Sequence, residues 1–467
     1  MLTILSAIAD FLGKILFYEV FGFPILILWL IFGGLFLSFK LFFPNVRFFR
    51  HGLDVALHNK YYSPSDVGEL TPRQALFTSI SGTVGLGNIS GVAIAVALGG
   101  PGSVIWMLIM AFFSMNTVFS EATLSQSYRT VDKNGKVIGG PFRYLRYGLK
   151  DIGKEKIGII LSSLFSFFLI FGVIGGAMFQ TNQAIAIITS YKIFNGTNYI
   201  FGLIFASITL YTLINGAKIL GKIIEKLIPT MATVYFLCAI IILISNYKNI
   251  FPSFLIMIKD AFGIQPMVSG LIGTMVMGIR RACFSNEAGL GTTSIAHALA
   301  KTKEPVREAS IACLTPMIDT MFFCFLTGLM IVSSGAYTTN TEGVLMTKEA
   351  FLSVNNWFPI FLSIVIIMFA LSNTLSCSFY GQTAWKNLTN GKLIFIFNIL
   401  VVIGIISVSK AGLGTVISII DTFYLSLAIP NLIGVFMLSG LIKRKIIRYK
   451  KRLDAGIFDR NLKKANK

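Results

Sequence analysis

Read as a string of apolar and polar positions, the chain is a series of apolar windows separated by short polar connections. A bilayer core asks for roughly 20 apolar residues per helix. Eleven windows meet that length, at 19–43, 74–99, 101–126, 157–190, 198–215, 223–245, 265–300, 308–335, 350–380, 393–410 and 413–442. The pattern predicts an all-α integral membrane protein of about 11 transmembrane helices. No connection between windows is long enough for a second folded domain.

Two windows break the pattern. In the seventh, RRACFSNEAGLGTTSIAHALAKT (280–302) sets Ser285, Asn286 and Glu287 in a row and brackets Leu290 with glycines. An ionised carboxylate at the centre of a lipid-facing helix costs roughly 2.5–3.5 kcal/mol, a cost tolerated where the group lines a cavity. In the second, Gly82-Thr83-Val84-Gly85-Leu86-Gly87-Asn88 does the same, and Gly85-Leu86-Gly87-Asn88-Ile89-Ser90 parallels Gly289-Leu290-Gly291-Thr292-Thr293-Ser294. Paired glycine-interrupted spans at corresponding places in two halves point to a solute carrier with a binding site built from broken helices.

The basic residues give the orientation. Of the 40 Lys and Arg, 32 fall in connections on one side of the predicted membrane and six on the other, while Arg280 and Arg281 lie within a span. Positive-inside bias then sets the N-terminus outside and the C-terminus in the cytoplasm. Spans two to six and seven to eleven become two five-helix halves of opposite orientation, with the first span peripheral. The corresponding divisions are 1–73 for the peripheral helix and cytoplasmic loop, 74–250 and 251–442 for the halves, and 443–467 for a basic cytoplasmic tail. The N-terminus lacks the short apolar core and small-residue site of a removable signal peptide.

Composition changes the picture little. With 55% hydrophobic residues, 13% charged and a mean hydropathy of +0.76, lipid must be part of the solvent. The formal charge of +20 is topological, so nucleic acid is not an expected partner. Five cysteines (Cys238, Cys283, Cys313, Cys324, Cys377) sit in apolar runs without metal or redox spacing and read as buried thiols. Gly216 to Lys222 fits the start of a phosphate-binding loop, but Ile223 stands where Ser or Thr is needed and no strand precedes it. No nucleophile–base or metal constellation is present, so the chain is not expected to be an enzyme.

The candidate chemistry gathers at the breaks. A half-helix starting near Asn88 would offer amides and a positive dipole end to a carboxylate, and freed carbonyls can ligate a hard cation. The plainer reading is glycine-mediated packing. Glu287 could bind an ammonium, accept a proton, or be pinned by Asn286 or an arginine. Arg280 and Arg281 suit either an anion-attracting vestibule or an extracellular gate, and His297 suits a packed, hydrogen-bonded role. Ser372 to Ser378 and Gln180 to Gln183 are polar clusters able to join helices or to ligate a cation. Glu121, Asp319 and Asp421 read as interhelical anchors, with proton relay the alternative.

The runs GTVGLGNISGVAIAVALGGPG (82–102), FSEATLSQSYR (119–129), GGPFRYL (139–145), FQTNQA (179–184), RRACFSNEAGLGTTSIAHALAKT (280–302) and PVREASIACLTPMIDT (305–320) closely resemble the alanine/glycine:cation symporter family of the amino acid–polyamine–organocation superfamily. The resemblance covers about residues 70–440. It implies a leucine-transporter-like 5+5 inverted repeat behind one extra N-terminal helix, and inward symport of a small neutral amino acid with sodium. By the same resemblance Thr83, Gly85, Leu86, Gly87, Gln180, Phe284, Ser285, Glu287 and Cys377 would face substrate, and Gly82, Gly85, Ser372 and Asn373 would hold sodium. No cofactor beyond this coupling ion is implied. The chain departs from the family at Leu86 (commonly Thr), Asn373 (Thr), Cys377 (often Trp), Gln382 (often Glu) and Ala282 (often Gly). These changes leave alanine, glycine or a larger neutral amino acid such as glutamine as substrate, and proton coupling as the alternative to sodium. The expected setting is the cell (inner) membrane as a multi-pass monomer, with lipid, sodium and amino acid as partners.

Overall fold

In the computed structural model, residues 2–58, 61–63, 65–131, 136–194, 196–264 and 269–458 are described. The start of the seventh window (265–268), part of the longest basic loop (132–135), the end of the basic tail (459–467) and the side chains of 217–219, 221 and 222 in the Gly216–Lys222 run lie outside the described residues.

The apolar windows fold as helices. Among the described residues, seven are long and apolar enough to cross a membrane, or eight if Pro72–Thr83 and Gly87–Gly99, bent by 52° at their junction, form one span. Ile25–Leu41 and Ile394–Ser407 are shorter apolar helices, and the seventh window is divided into Gly270–Asn286 and Thr293–Ala298. Two small antiparallel ribbons, Glu19–Val20 with Phe23–Pro24 and Thr130–Val131 with Val137–Ile138, interrupt an otherwise helical chain.

Several helices have no counterpart among the predicted windows: Leu2–Leu16, Phe49–His58, Tyr247–Ala261 and Val344–Leu352. Each mixes charged and apolar positions, so a search for continuous apolar runs passes over them. Ala428–Asp454 likewise runs past the end of the eleventh window into the basic tail. Ile446 and Tyr449 of that extension are buried, and Tyr449 Oη bonds His51 Nε2 at 2.8 Å.

The two broken windows form the centre. All residues from 78 to 96 and from 281 to 300 are buried. Ser103–Tyr128 and Pro359–Thr389 pack against them and Glu155–Thr189 reaches them through Phe179 and Gln180, while outward Ile, Leu and Phe of the peripheral helices remain exposed, as Ile and Leu do on Asn198–Asn215. A bilayer is the solvent in which that surface is stable. All five cysteines are free and buried.

Candidate functional site

The first break begins where Pro72–Thr83, started by a Thr71/Gln74 capping box, gives way to extended Val84. The chain re-forms as a wide helical turn, Gly87–Gly91, before continuing as Val92–Gly99. Side chains take up the freed amides: Gly85 N–H donates to Asn88 Oδ1 at 3.0 Å and Leu86 N–H to Gln180 Oε1 at 3.0 Å. Asn88 N–H returns to Gly85 O at 3.2 Å. Among the described residues, no side chain takes the Gly87 N–H.

The second break begins at Glu287, whose backbone is left-handed with φ of 56°, and continues through Gly289 and Gly291 at φ of 85° and 78°. Asp319, in the wide helix Met317–Cys324, joins the two breaks. It accepts from Asn88 Nδ2 at 2.7 Å, Ser285 Oγ at 2.7 Å and Thr320 Oγ1 at 2.8 Å. Asn286 holds Thr320 Oγ1 at 3.2 Å.

Between the breaks lies a cavity of about 20 Å³, room for roughly one water molecule. Of the substrate-facing positions that the family resemblance implies, Thr83, Gly87, Gln180, Phe284, Glu287 and Cys377 line it, as do Gly82 and Asn373 of the implied sodium set. Gly85 packs beside it, where a Cβ would come within 2.9 Å of both Asn373 and Gln180. Leu86 is buried away from it, so its exchange for a hydroxyl residue does not alter the lining. Ser285 turns to Asp319 instead.

The implied sodium residues are only partly gathered. Asn373 Nδ2 donates to Gly82 O, and its Oδ1 accepts from Gln180 Nε2 at 2.9 Å. Ser372 Oγ turns back to Phe369 O at 3.2 Å, and only its main-chain oxygen faces the break, accepting from Ser81 Oγ at 3.4 Å. A turn of the Asn373 amide would set its oxygen beside Gly82 O, the kind of donor pair a hard cation needs.

Glu287 is fully enclosed. Its carboxylate accepts from Thr292 Oγ1, and from Tyr424 Oη at 2.5 Å. Among the described residues no Lys or Arg pairs with it. The two arginines go elsewhere: Arg281 and Arg280 both meet Asp421 Oδ2, the latter at 2.8 Å. Arg280 also stacks 4.4 Å from the Phe17 ring centre, and Arg281 lies 5.3 Å from that of Phe284. Phe284 meets Phe179 and Tyr424 edge-on at 5.6 and 6.2 Å, closing the cavity on the arginine side.

Gly176, Ile420 and Tyr424 also line the cavity, and sequence reasoning passed over them. Their helices carry no local break; the only signal was Asp421, next to Ile420. His297 bonds Glu308 at 2.7 Å, both fully buried. Glu121 accepts from Asn431 Nδ2 at 2.6 Å, which also holds Gly289 O at 2.7 Å.

Two interrupted helices, buried at the centre of a helical membrane bundle and facing a small cavity of mixed polar and apolar lining, have the form of a transporter core. The sodium:alanine symporter family model matches residues 5–464, and the chain belongs to that family. It is 36% identical over 424 residues to the sodium/alanine symporter AgcS of Methanococcus maripaludis, covering 90% of this chain and 92% of that one. It is 32% identical to the probable sodium/glutamine symporter GlnT of Bacillus subtilis, over 92% and 89% of the two chains. Among solved structures it resembles MhsT in complex with L-phenylalanine, with a TM-score of 0.51 and 15% identity over 78% of this chain and 88% of that one. This likeness gives the fold. The protein is a multi-pass membrane transporter.

Proposed function

We propose that the chain is a sodium-coupled symporter that carries a small neutral amino acid by alternating access. The observation that carries this reading is Glu287: a buried carboxylate at the second break, faced by neutral hydroxyls and open to a cavity. Such a group is poised for an ammonium. The amide of Gly87, on the opposing break, is the donor left for a carboxylate. Sodium would sit between Gly82 O and the Asn373 amide, where it would loosen the Gln180–Asn373 bond and favour the substrate-ready state by differential binding.

The same reading takes eleven spans, an outside N-terminus, a cytoplasmic C-terminus and two inverted five-helix halves. Alanine or glycine is the cargo for which so small a cavity would have to widen least. Glutamine is the second reading, favoured by the thiol of Cys377 and the bare Gly176 on the lining, which leave space for a longer side chain once Phe284 moves.

The test is uptake of labelled alanine, glycine and glutamine into proteoliposomes with and without an inward sodium gradient. Sodium-dependent, saturable uptake of one of them is expected. Replacing Ser372 and Asn373 together by Ala should abolish the sodium dependence. Uptake driven by a proton gradient alone would remove the sodium site and keep the fold.

A further inference from the structure

The two half-helices Pro72–Thr83 and Thr293–Ala298 pack against each other. They run from the cavity to a contact that the cavity chemistry does not use. There the chain preceding the first half-helix pairs, main chain to main chain, with the chain following the second. Glu69 and Leu70 N–H donate to Leu299 O at 2.8 and 3.0 Å, and Lys301 N–H returns to Leu70 O at 2.7 Å. Gly68, at φ of 150°, lies flat on this ribbon; a Cβ there would come within 2.6 Å of Lys301 N and Cα. Only glycine permits that approach.

Arg129, directly after the helix Ser103–Tyr128, spans the contact. Its Nη1 donates to Ala298 O at 3.0 Å and Ala300 O at 2.6 Å; its Nη2 donates to Val67 O at 2.8 Å and Thr302 O at 2.6 Å. One guanidinium thereby ties three chain segments through four carbonyls. Gln126, one turn earlier, adds His297 O at 2.5 Å and Ala300 O at 3.3 Å. Ala298, Ala300 and Thr302 offer carbonyls at or beyond the end of Thr293–Ala298, where the helix supplies no partner. The planar fork of arginine can meet several at once, as an ammonium cannot. Val67 and Glu69 are exposed and Arg129 is part-buried, so water reaches the rim of the contact, and it can take up the buried Ala298 and Ala300 carbonyls once the ribbon parts. A joint of this kind can form and break.

We propose that this ribbon is the gate between the cavity and the side to which the basic loops point, and that Arg129 is its latch. The proposal rests on the alternating-access reading above, in which the two half-helices must part here to release cargo. Arg129 acts by position, holding the cytoplasmic ends of both broken helices to the helix Ser103–Tyr128.

The experiment is labelling of Ser294→Cys, a buried position on Thr293–Ala298, by a membrane-impermeant maleimide applied to the basic-loop face of oriented vesicles. The native cysteines, all buried, set the background. Arg129→Gln and Gly68→Ala should each raise the labelling rate at least tenfold, with Arg129→Lys in between. Ile420→Cys, on the opposite side of the cavity, is labelled in parallel from the other face and should not speed up, since alternating access closes that face as this one opens. If neither variant speeds labelling of Ser294→Cys, or if both cysteines speed up equally through general loosening, the latch is refuted. The readout uses no substrate, so absence of sodium-driven uptake in the parent protein would overturn the symport reading separately.

Discussion

Glu287 takes a left-handed conformation at the end of Gly270–Asn286, where a glycine is the usual choice, and its carboxylate lines the cavity. Thr292 and Tyr424 orient it without neutralising it. If it binds the substrate ammonium, Glu287→Gln keeps the hydrogen-bonding shape and removes the charge. A hydrogen bond to a charged group is worth about 1.5–3 kcal/mol, so uptake should fall about 10- to 100-fold with the melting temperature nearly unchanged. Unchanged uptake would make Glu287 a structural residue. In sequence, the polarity of Ser285-Asn286-Glu287 inside an apolar window already marked the site. That Ser285 faces Asp319 rather than the cavity was not legible, because the two share a face only after the second break has folded.

At the scale of elements, the helix Leu413–Leu425 holds one neighbour at two points from one side. Asp421 and Tyr424 are three residues apart, hence on the same helical face; one meets Arg280 and Arg281, the other Glu287. Leu2–Leu16 covers this helix, with Thr422 Oγ1 donating to Ala9 O at 3.3 Å, and Phe17 just beyond it stacks on Arg280. Asp421→Ala would leave Arg281 buried and unpaired, which costs about 3–5 kcal/mol. A lower melting temperature in detergent is expected, partly restored by adding Arg281→Met. Equal stability of Asp421→Ala and the parent would show that the pair does not hold the helix. The sequence marked all three residues as ionisable groups in spans but could not pair them, since the partners lie 140 residues apart.

For the whole molecule, the uneven placement of Lys and Arg predicts an outside N-terminus and a cytoplasmic C-terminus. Impermeant labelling of single cysteines at Lys192 and Lys303 should report the outer and inner faces respectively; the reverse result would invert the topology and with it the side of the Arg129 latch. The sequence alone determined the helical membrane class, the two broken helices and the family, because lipid solvation demands long apolar runs and every interruption of one stands out. Tertiary structure alone decided which polar groups are spent on holding the breaks together and which remain at the cavity. Gln180, Asn88 and Asp319 satisfy main-chain and side-chain donors that a broken helix leaves free, and Tyr424, Ile420 and Gly176 reach the cavity from unbroken helices. Polarity along a chain shows that a group must be satisfied in the membrane; only packing chooses the partner.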